Sequence, residues 1–294
     1  MWRLEYYFLI SFTFIISLLP RCLHYMNARI IAFLLNYIVR YRYTTILTNI
    51  SRSFPEKKYK EIRDLAGEYY QYIADTVVET LINIRLSKKE VKRRFKYTNL
   101  ELLYETYQQN KNVIVDTGHQ GNWEIFSGLD QPELEKKYGI KIRHFNTIYV
   151  YKKMNTKAFT NFMTKIREAH SFCIMKESKA IVRFLISRKN EGGIYMFMAD
   201  QCSHNNDAIQ TIFLNQKTTM LSGPEFLATK LDTAVLFMDI QRVKRGYYEI
   251  TFSPICIHGK ETKKGEITTK YAELLEKSII KNPATWLWSH RRWK

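Results

Sequence analysis

Two apolar runs open the chain. Tyr6 to Leu19 is a stretch of 14 residues whose only polar breaks are Ser and Thr, closed by Pro20 and Arg21. Ile30 to Val39 follows between Arg29 and Arg40. Both fall short of the roughly 20 apolar residues a spanning helix needs. Together they predict a membrane anchor over residues 1–40, as one tilted span or two helices lying in the interface. Two core helices are the plain alternative, since runs of this length often are. No small-x-small site follows Pro20, which argues against a cleaved leader. Trp2, Tyr6 and Tyr7 with Arg21, Arg40 and Arg42 suit interfacial anchoring, with the bulk of the chain on the cytoplasmic side.

From residue 41 to 294 the pattern changes to helices alternating with short apolar strands. Lys57 to Ile84 carries Ile62, Leu65, Tyr69, Tyr72, Ile73, Thr76, Val77 and Leu81 at helical spacing, a packing face, with Glu79 read as a solvated or salt-bridged acid. Val113-Ile114-Val115 reads as a buried strand, Lys141 to Tyr149 as a second, and Ile194 to Met198 as a third after the Gly192-Gly193 turn. A helix through Phe159, Phe162 and Ile166 and an amphipathic one over Lys179 to Ser187 lie between them. Ala234 to Ile240 and Tyr247 to Phe252 flank Arg245-Gly246 as a hairpin at the sheet edge, and Ile267 to Ile280 is a closing helix. The expectation is one α/β domain, with a mixed central sheet flanked by helices, behind the N-terminal anchoring helices.

Charge changes the picture of partners. The 294 residues hold 46 Lys and Arg against 28 Asp and Glu, a formal +18. Such an excess favours an anionic partner. No zinc-finger spacing, nucleic-acid signature or long basic tail points to nucleic acid, so none is expected. Lys88-Lys89 and Lys92-Arg93-Arg94 read as a solvated helix face. Four cysteines, Cys22, Cys173, Cys202 and Cys256, stand far apart, which argues for a reducing compartment and against a disulfide framework. Cys202-Ser203-His204-Asn205-Asn206-Asp207 lacks metal-ligand spacing and reads as a solvated loop, so no metal is expected.

The chemistry concentrates where the first strand ends, at Asp116-Thr117-Gly118-His119-Gln120-Gly121-Asn122-Trp123-Glu124. Gly118 and Gly121 bend the chain, and Asn122 is placed to cap a helix through Trp123 to Phe126. His119 therefore sits at a strand's C-terminal end, where open α/β sheets bind ligands. The positive helix start should keep its imidazole neutral and able to take a proton. Glu124, folded back by the glycines, would hold the ring tautomer and steady the charge that His119 gains as general base. A turn histidine bonded to backbone has the same spacing.

His119-Gln120-Gly121-Asn122-Trp123-Glu124 resembles the His-x-Gly-Asn-Trp-Glu block of the bacterial lipid A biosynthesis acyltransferases, the late lauroyl/myristoyl transferases, within the wider His-x4-acid glycerolipid acyltransferases. Asn49 to Pro55, Ala199-Asp200-Gln201, Gly223-Pro224 with Leu227-Ala228, and Trp286 with His290-Arg291-Arg292-Trp293 resemble further blocks of that family. The resemblance implies an O-acyltransferase with no cofactor. It would move a fatty acyl chain from a thioester, on acyl-carrier protein or coenzyme A, to a hydroxyl of a lipid A precursor at the inner membrane. It implies catalytic roles for His119 and Glu124. It also implies a substrate-binding set: Asn122, an electrostatic role for Arg167, Asp200 and Gln201 at the third strand's end, and free N–H groups at Gly223. Asp200 is expected to anchor the loop around His119 or to orient Arg167, or else only to cap the next turn. The Trp- and Arg-rich tail suits packing plus a headgroup contact, with His290 structural. Other polar-lipid acyl transfer by the same pair, and a non-enzymatic membrane-binding protein, are the alternatives.

Overall fold

The computed structural model describes residues 2–124, 136, 139, 147–151, 154–169, 174–202 and 208–293. Helices α1 (Trp2–Ser17) and α2 (Arg21–Phe33) run into a π-turn at Leu34–Ile38; α3 (Tyr43–Ser53), α4 (Tyr59–Asn83) and α5 (Lys88–Arg94) follow. Then come β1 (Phe95–Tyr97), α6 (Leu100–Asn110), β2 (Asn112–Thr117), β3 (Thr147–Tyr151), α7 (Lys157–Glu168), β4 (Ile174–Glu177), α8 (Ser178–Ser187) and β5 (Gly193–Met198). A small hairpin, β6 (Ile209–Phe213) and β7 (Gln216–Met220), leads to α9 (Gly223–Leu231), β8 (Ala234–Lys244), β9 (Tyr247–Cys256) and α10 (Glu266–Lys281).

Among the described residues, seven strands form one mixed sheet in the order β1-β9-β8-β2-β5-β3-β4. Only β8 and β9 pair antiparallel within it. The α/β domain with a mixed sheet is thus the one the pattern predicts. The β8–β9 hairpin is second from the edge, because β1 pairs parallel with β9 and covers it. Central β2 is buried on both faces. Ile114 belongs to the core beneath α4 and α10, while Val113 and Val115 face the core beneath α6. Its unbroken β-branched run is what a parallel strand covered on both sides requires.

Helix α4 supplies much of the packing, with Ile62, Leu65, Tyr69 and Tyr72 buried as the period predicts. Towards its end the buried apolar positions are Val78 and Ile82; Val77 is 47% exposed. Two acids on α4 are buried too. Asp75 pairs with Arg242 and Arg245 at 2.5 Å each, clamping the β8–β9 turn to the helix. Glu79, expected to be solvated or salt-bridged, is 2% exposed and accepts from Tyr248 Oη at 2.7 Å and Tyr25 Oη at 3.2 Å. Burial raises its pKa, which the hydrogen bonds from Tyr248 and Asn122 and the charge of Arg242 only partly offset. Arg94, expected on a solvated face, is buried as well, and its guanidinium donates to Gly246 O at 3.4 Å.

Helices α1 and α2 are bent against each other by 117°, and among the described residues no single helix is long and apolar enough to cross a membrane. Each packs one face inward, α1 on α7 and α2 on α4, through Thr13, His24, Ala28 and Ala32. The outer faces stay apolar: Leu4, Tyr7, Phe8 and Ile15 are all more than 60% exposed.

Candidate active site

Strands β2 and β5 lie side by side and parallel, with Thr117 opposite Met198. Their C-terminal ends therefore leave the sheet together, and the residues just beyond them, His119 and Asp200, meet. His119 Nδ1 lies 2.6 Å from Asp200 Oδ1, and the His119 backbone N–H donates to Asp200 Oδ2 at 2.8 Å. The carboxylate holds both the ring and the main chain that carries it. Of the roles anticipated for Asp200, anchoring the His119 loop is the one this geometry fits. No hydrogen bond engages His119 Nε2 among the described residues, and the side chain is 14% exposed.

Glycines make the bend possible, each for a local reason. A Cβ on Gly118 would come within 2.6 Å of Leu275 Cδ1 and 3.4 Å of Asp200 Oδ2. Gly121 has φ +59°, and its Cβ would stand 2.4 Å from Ile240 O. Gly121→Ala should therefore cost about 3 kcal/mol of stability, from left-handed strain plus overpacking, read by denaturant unfolding. The loop is tied down all round. Tyr72 Oη donates to Gly121 O at 2.5 Å, Gly121 N–H to Thr285 O at 3.1 Å, and Ser278 Oγ to Gln120 Oε1 at 2.7 Å.

The acid expected to steer His119 does other work. Both oxygens of Glu124 are taken by Arg167, from Nε at 2.7 Å and from Nη2 at 2.9 Å, a forked pair with side chains 16% and 9% exposed. The ring's partner is thus Asp200, not Glu124. Glu124 reaches His119 only through its charge. Glu124 and Trp123 lie in a turn; the rest of the predicted helix, Ile125 and Phe126, falls outside the described residues. So do residues 141–146 of the second predicted strand and 203–207 of the loop after Cys202.

The expectation that the surroundings of the ring would disfavour its charged form also needs correction. Burial opposes the charged ring, but the charge and hydrogen bond of Asp200, with Glu124 adding, outweigh it and raise the His119 pKa. Asp200 moves the other way, down to about 2: burial opposes its charge, and its bonds with His119 and Trp286 prevail. A helix start was the assumed source of positive potential; the nearer carboxylate wins.

Of the substrate-binding set, Asn122 is fully buried and donates Nδ2 to Glu79 Oε2 at 2.8 Å, so it fastens the loop to α4 and is out of a ligand's reach. Gln201 is half-buried beside Asp200. Gly223 opens α9 at the surface, where a Cβ would meet nothing within 4 Å. Two tail residues enter the site instead. Trp286 Nε1 donates to Asp200 Oδ2 at 2.9 Å, and Arg292, 2% exposed, donates from Nη1 to Asp200 O. The tail's alternating Trp and Arg was visible as packing; that it brackets Asp200 was not. His290, buried enough to lower its pKa, makes backbone contacts that fit a structural role. Trp286→Phe keeps one buried aromatic ring, gives up part of the indole's packing and removes one donor from Asp200. It should cost about 2 kcal/mol or more and slow the reaction less than any change to Asp200 itself, checked by thermal unfolding beside a rate assay.

Next to this cluster lies a cleft of about 530 Å³ lined by Cys202, Thr211, Ile212, Lys217, Arg292 and Trp293, among others. Arg292 joins the two, since it borders the cleft and bonds Asp200.

Comparison with known proteins places the chain among acyltransferases of lipid A biosynthesis. The lipid A biosynthesis palmitoleoyltransferase of Escherichia coli (strain K12) is 22% identical over 257 residues, covering 84% of this chain and 76% of that protein. A lipid A biosynthesis acyltransferase of Shigella flexneri matches with the same identity and coverage. The family model described as bacterial lipid A biosynthesis acyltransferase matches residues 2–294, so the chain belongs to that family and is an acyltransferase.

Proposed function

We propose that this enzyme transfers a fatty acyl chain from an acyl thioester to a hydroxyl of a lipid A precursor, with His119 as general base. The observation that carries the reading is the His119 ring, held at Nδ1 by Asp200 with Nε2 left open at the exit of two parallel strands. Nε2 takes the proton as the hydroxyl O–H bond breaks. That oxygen forms a bond to the thioester carbonyl carbon, and the C–S bond then breaks. The departing sulfur takes the proton back from Nε2, so the ring ends as it began. Asp200 steadies the imidazolium in between. Arg167, fixed by Glu124, contributes positive charge for the oxyanion or for an anionic group of the substrate. The cleft beside Arg292 offers room for the donor's arm, and the excess of positive charge suits an acidic carrier protein as donor.

Residues 1–40 serve as an interfacial anchor at the inner membrane, with residues 41–294 as the acyltransferase domain on its cytoplasmic side. The support is the exposed apolar outer face of α1 and α2, in helices too short to cross singly.

The test is reconstitution of the purified protein with acyl-carrier protein thioester and either a lipid A precursor or a lysophospholipid, read by mass spectrometry. The expected result is the mass of one acyl chain added to the lipid A precursor alone; addition to the lysophospholipid alone would sink the acceptor assignment. A base must be neutral to act, and the His119 pKa is raised. The rate should therefore climb with pH on a limb displaced above the ordinary imidazole value of about 6.5. A limb at or below that value would contradict the Asp200 pairing.

A further inference from the structure

A second built feature lies away from the catalytic cluster, where α2 turns back to the body of the protein. The π-turn Leu34–Ile38 ends in two residues with left-handed backbone on either side of Tyr41: Arg40 at φ 52° and Arg42 at φ 49°. Non-glycine residues rarely take that conformation, and π-turns often accompany function. Here it is held by its surroundings. Tyr41 N–H donates to Leu35 O at 2.9 Å, Tyr43 N–H to Arg40 O at 3.1 Å, and Tyr70 Oη to Tyr41 O at 2.8 Å. The turn brings Arg40 to the rim of a cleft of about 500 Å³ between this segment and the first turns of α4.

The cleft is lined by Arg40, Lys60 and Arg63 against a single acid, Asp64, with Tyr37, Tyr43 and Tyr59 among them. None of the three cations has an ion-pair partner among the described residues, in a protein where Arg242 and Arg245 converge on one buried aspartate. The Arg40 guanidinium sits over the Tyr43 ring, 5.1 Å from its centroid, which leaves its forked N–H edge unused. The adjoining outer surface is apolar: Phe33 is 55% exposed, Tyr37 58%, Ile38 65% and Val39 64%. A ligand that fits both halves has an anionic phosphate for the cleft and acyl chains for the collar.

We propose that this cleft binds the phosphate of an anionic phospholipid, fixing the height and tilt at which the enzyme sits on the membrane. The proposal rests on the interfacial reading of the N-terminal helices and adds a defined headgroup site to it. Arg40 and Arg63 supply forked donors, Lys60 a point charge, and the tyrosines hydroxyls, while the acyl chains lie beside Phe33, Ile38 and Val39.

Co-sedimentation of the full-length protein with two kinds of vesicle tests this, one of phosphatidylcholine alone and one of phosphatidylcholine with phosphatidylglycerol. Phosphatidylglycerol should strengthen wild-type binding, and the triple variant Arg40→Ala, Lys60→Ala, Arg63→Ala should lose about tenfold or more of that gain. A control of equal charge loss, Lys260→Ala, Lys263→Ala, Lys264→Ala, should keep most of it. Arg40→Lys, which retains charge and loses the fork, should lie between wild type and the triple variant. Acyl transfer to detergent-dispersed substrate should be unchanged in all of them. Equal loss in both triple variants, or an Arg40→Lys indistinguishable from wild type, would mean diffuse attraction and overturn the site. Failure of the wild type to bind either vesicle would overturn the interfacial reading itself, and the site with it.

Discussion

Replacing His119 by alanine should lower acyl transfer by about a thousandfold and leave the fold in place. The size follows from what a positioned general base contributes, typically 10²–10⁴-fold. Among the described residues no other side chain is set to take over. Among the described residues the nearest acid, Asp200, has its oxygens committed to His119 and Trp286 and a pKa near 2, too weak a base for an alcohol. The fold survives because the loop does not depend on the imidazole. The His119 backbone N–H still donates to Asp200, and Tyr72, Thr285 and Ser278 still hold the residues that follow. The measurement is the initial rate of transfer to the lipid A precursor, beside the circular dichroism and melting temperature of the same preparation. A variant that retains wild-type rate would remove His119 from the chemistry.

How far this site could be read from the chain depends on how local its causes are. The position of His119 was legible, because a β-branched run followed by two glycines forces a strand to end and bend, and both events occur within ten residues. The identity of its partner was not. Asp200 is 81 residues away and arrives only because β2 and β5 pair in parallel at a particular register. Proximity along the chain favoured Glu124, which is instead engaged by an arginine 43 residues on. The burial of Glu79 is hidden for the same reason: its helix predicts which way it points, while its partners Tyr248 and Asn122 come from a hairpin and a loop. Strand β1, three residues long and preceded by basic residues, carries no pattern of its own and forms because β9 offers it an edge. Helices and buried strands were written in periodicities that the local chain sets. The polar contacts that make the site were written in pairings between distant segments.

Asp200→Asn should slow the reaction by three to four orders of magnitude, through the tautomer of its neighbour. In the native pair the carboxylate accepts from Nδ1–H, which leaves Nε2 with its lone pair facing the open side. Asp200 Oδ2 is already shared between the His119 N–H and Trp286 Nε1, so an amide at this position must turn its one oxygen to those two donors. Its NH₂ then points at Nδ1 and donates, the proton moves to Nε2, and the ring can no longer take one from a hydroxyl. In another enzyme with a His–Asp pair the corresponding change costs about 10⁴ in rate with the geometry intact. The loss should therefore fall on kcat more than on KM. The His119 pKa, followed by the NMR shifts of the ring protons, should drop, since the charge that raised it is gone. Glu124→Gln supplies the contrast. It removes a more distant charge and loosens Arg167, so it should lower the His119 pKa less and weaken the retention of substrate or oxyanion. Were Glu124→Gln to lower the ring pKa more and stop the reaction while Asp200→Asn did neither, Glu124 would have to be restored as the group that steers the base.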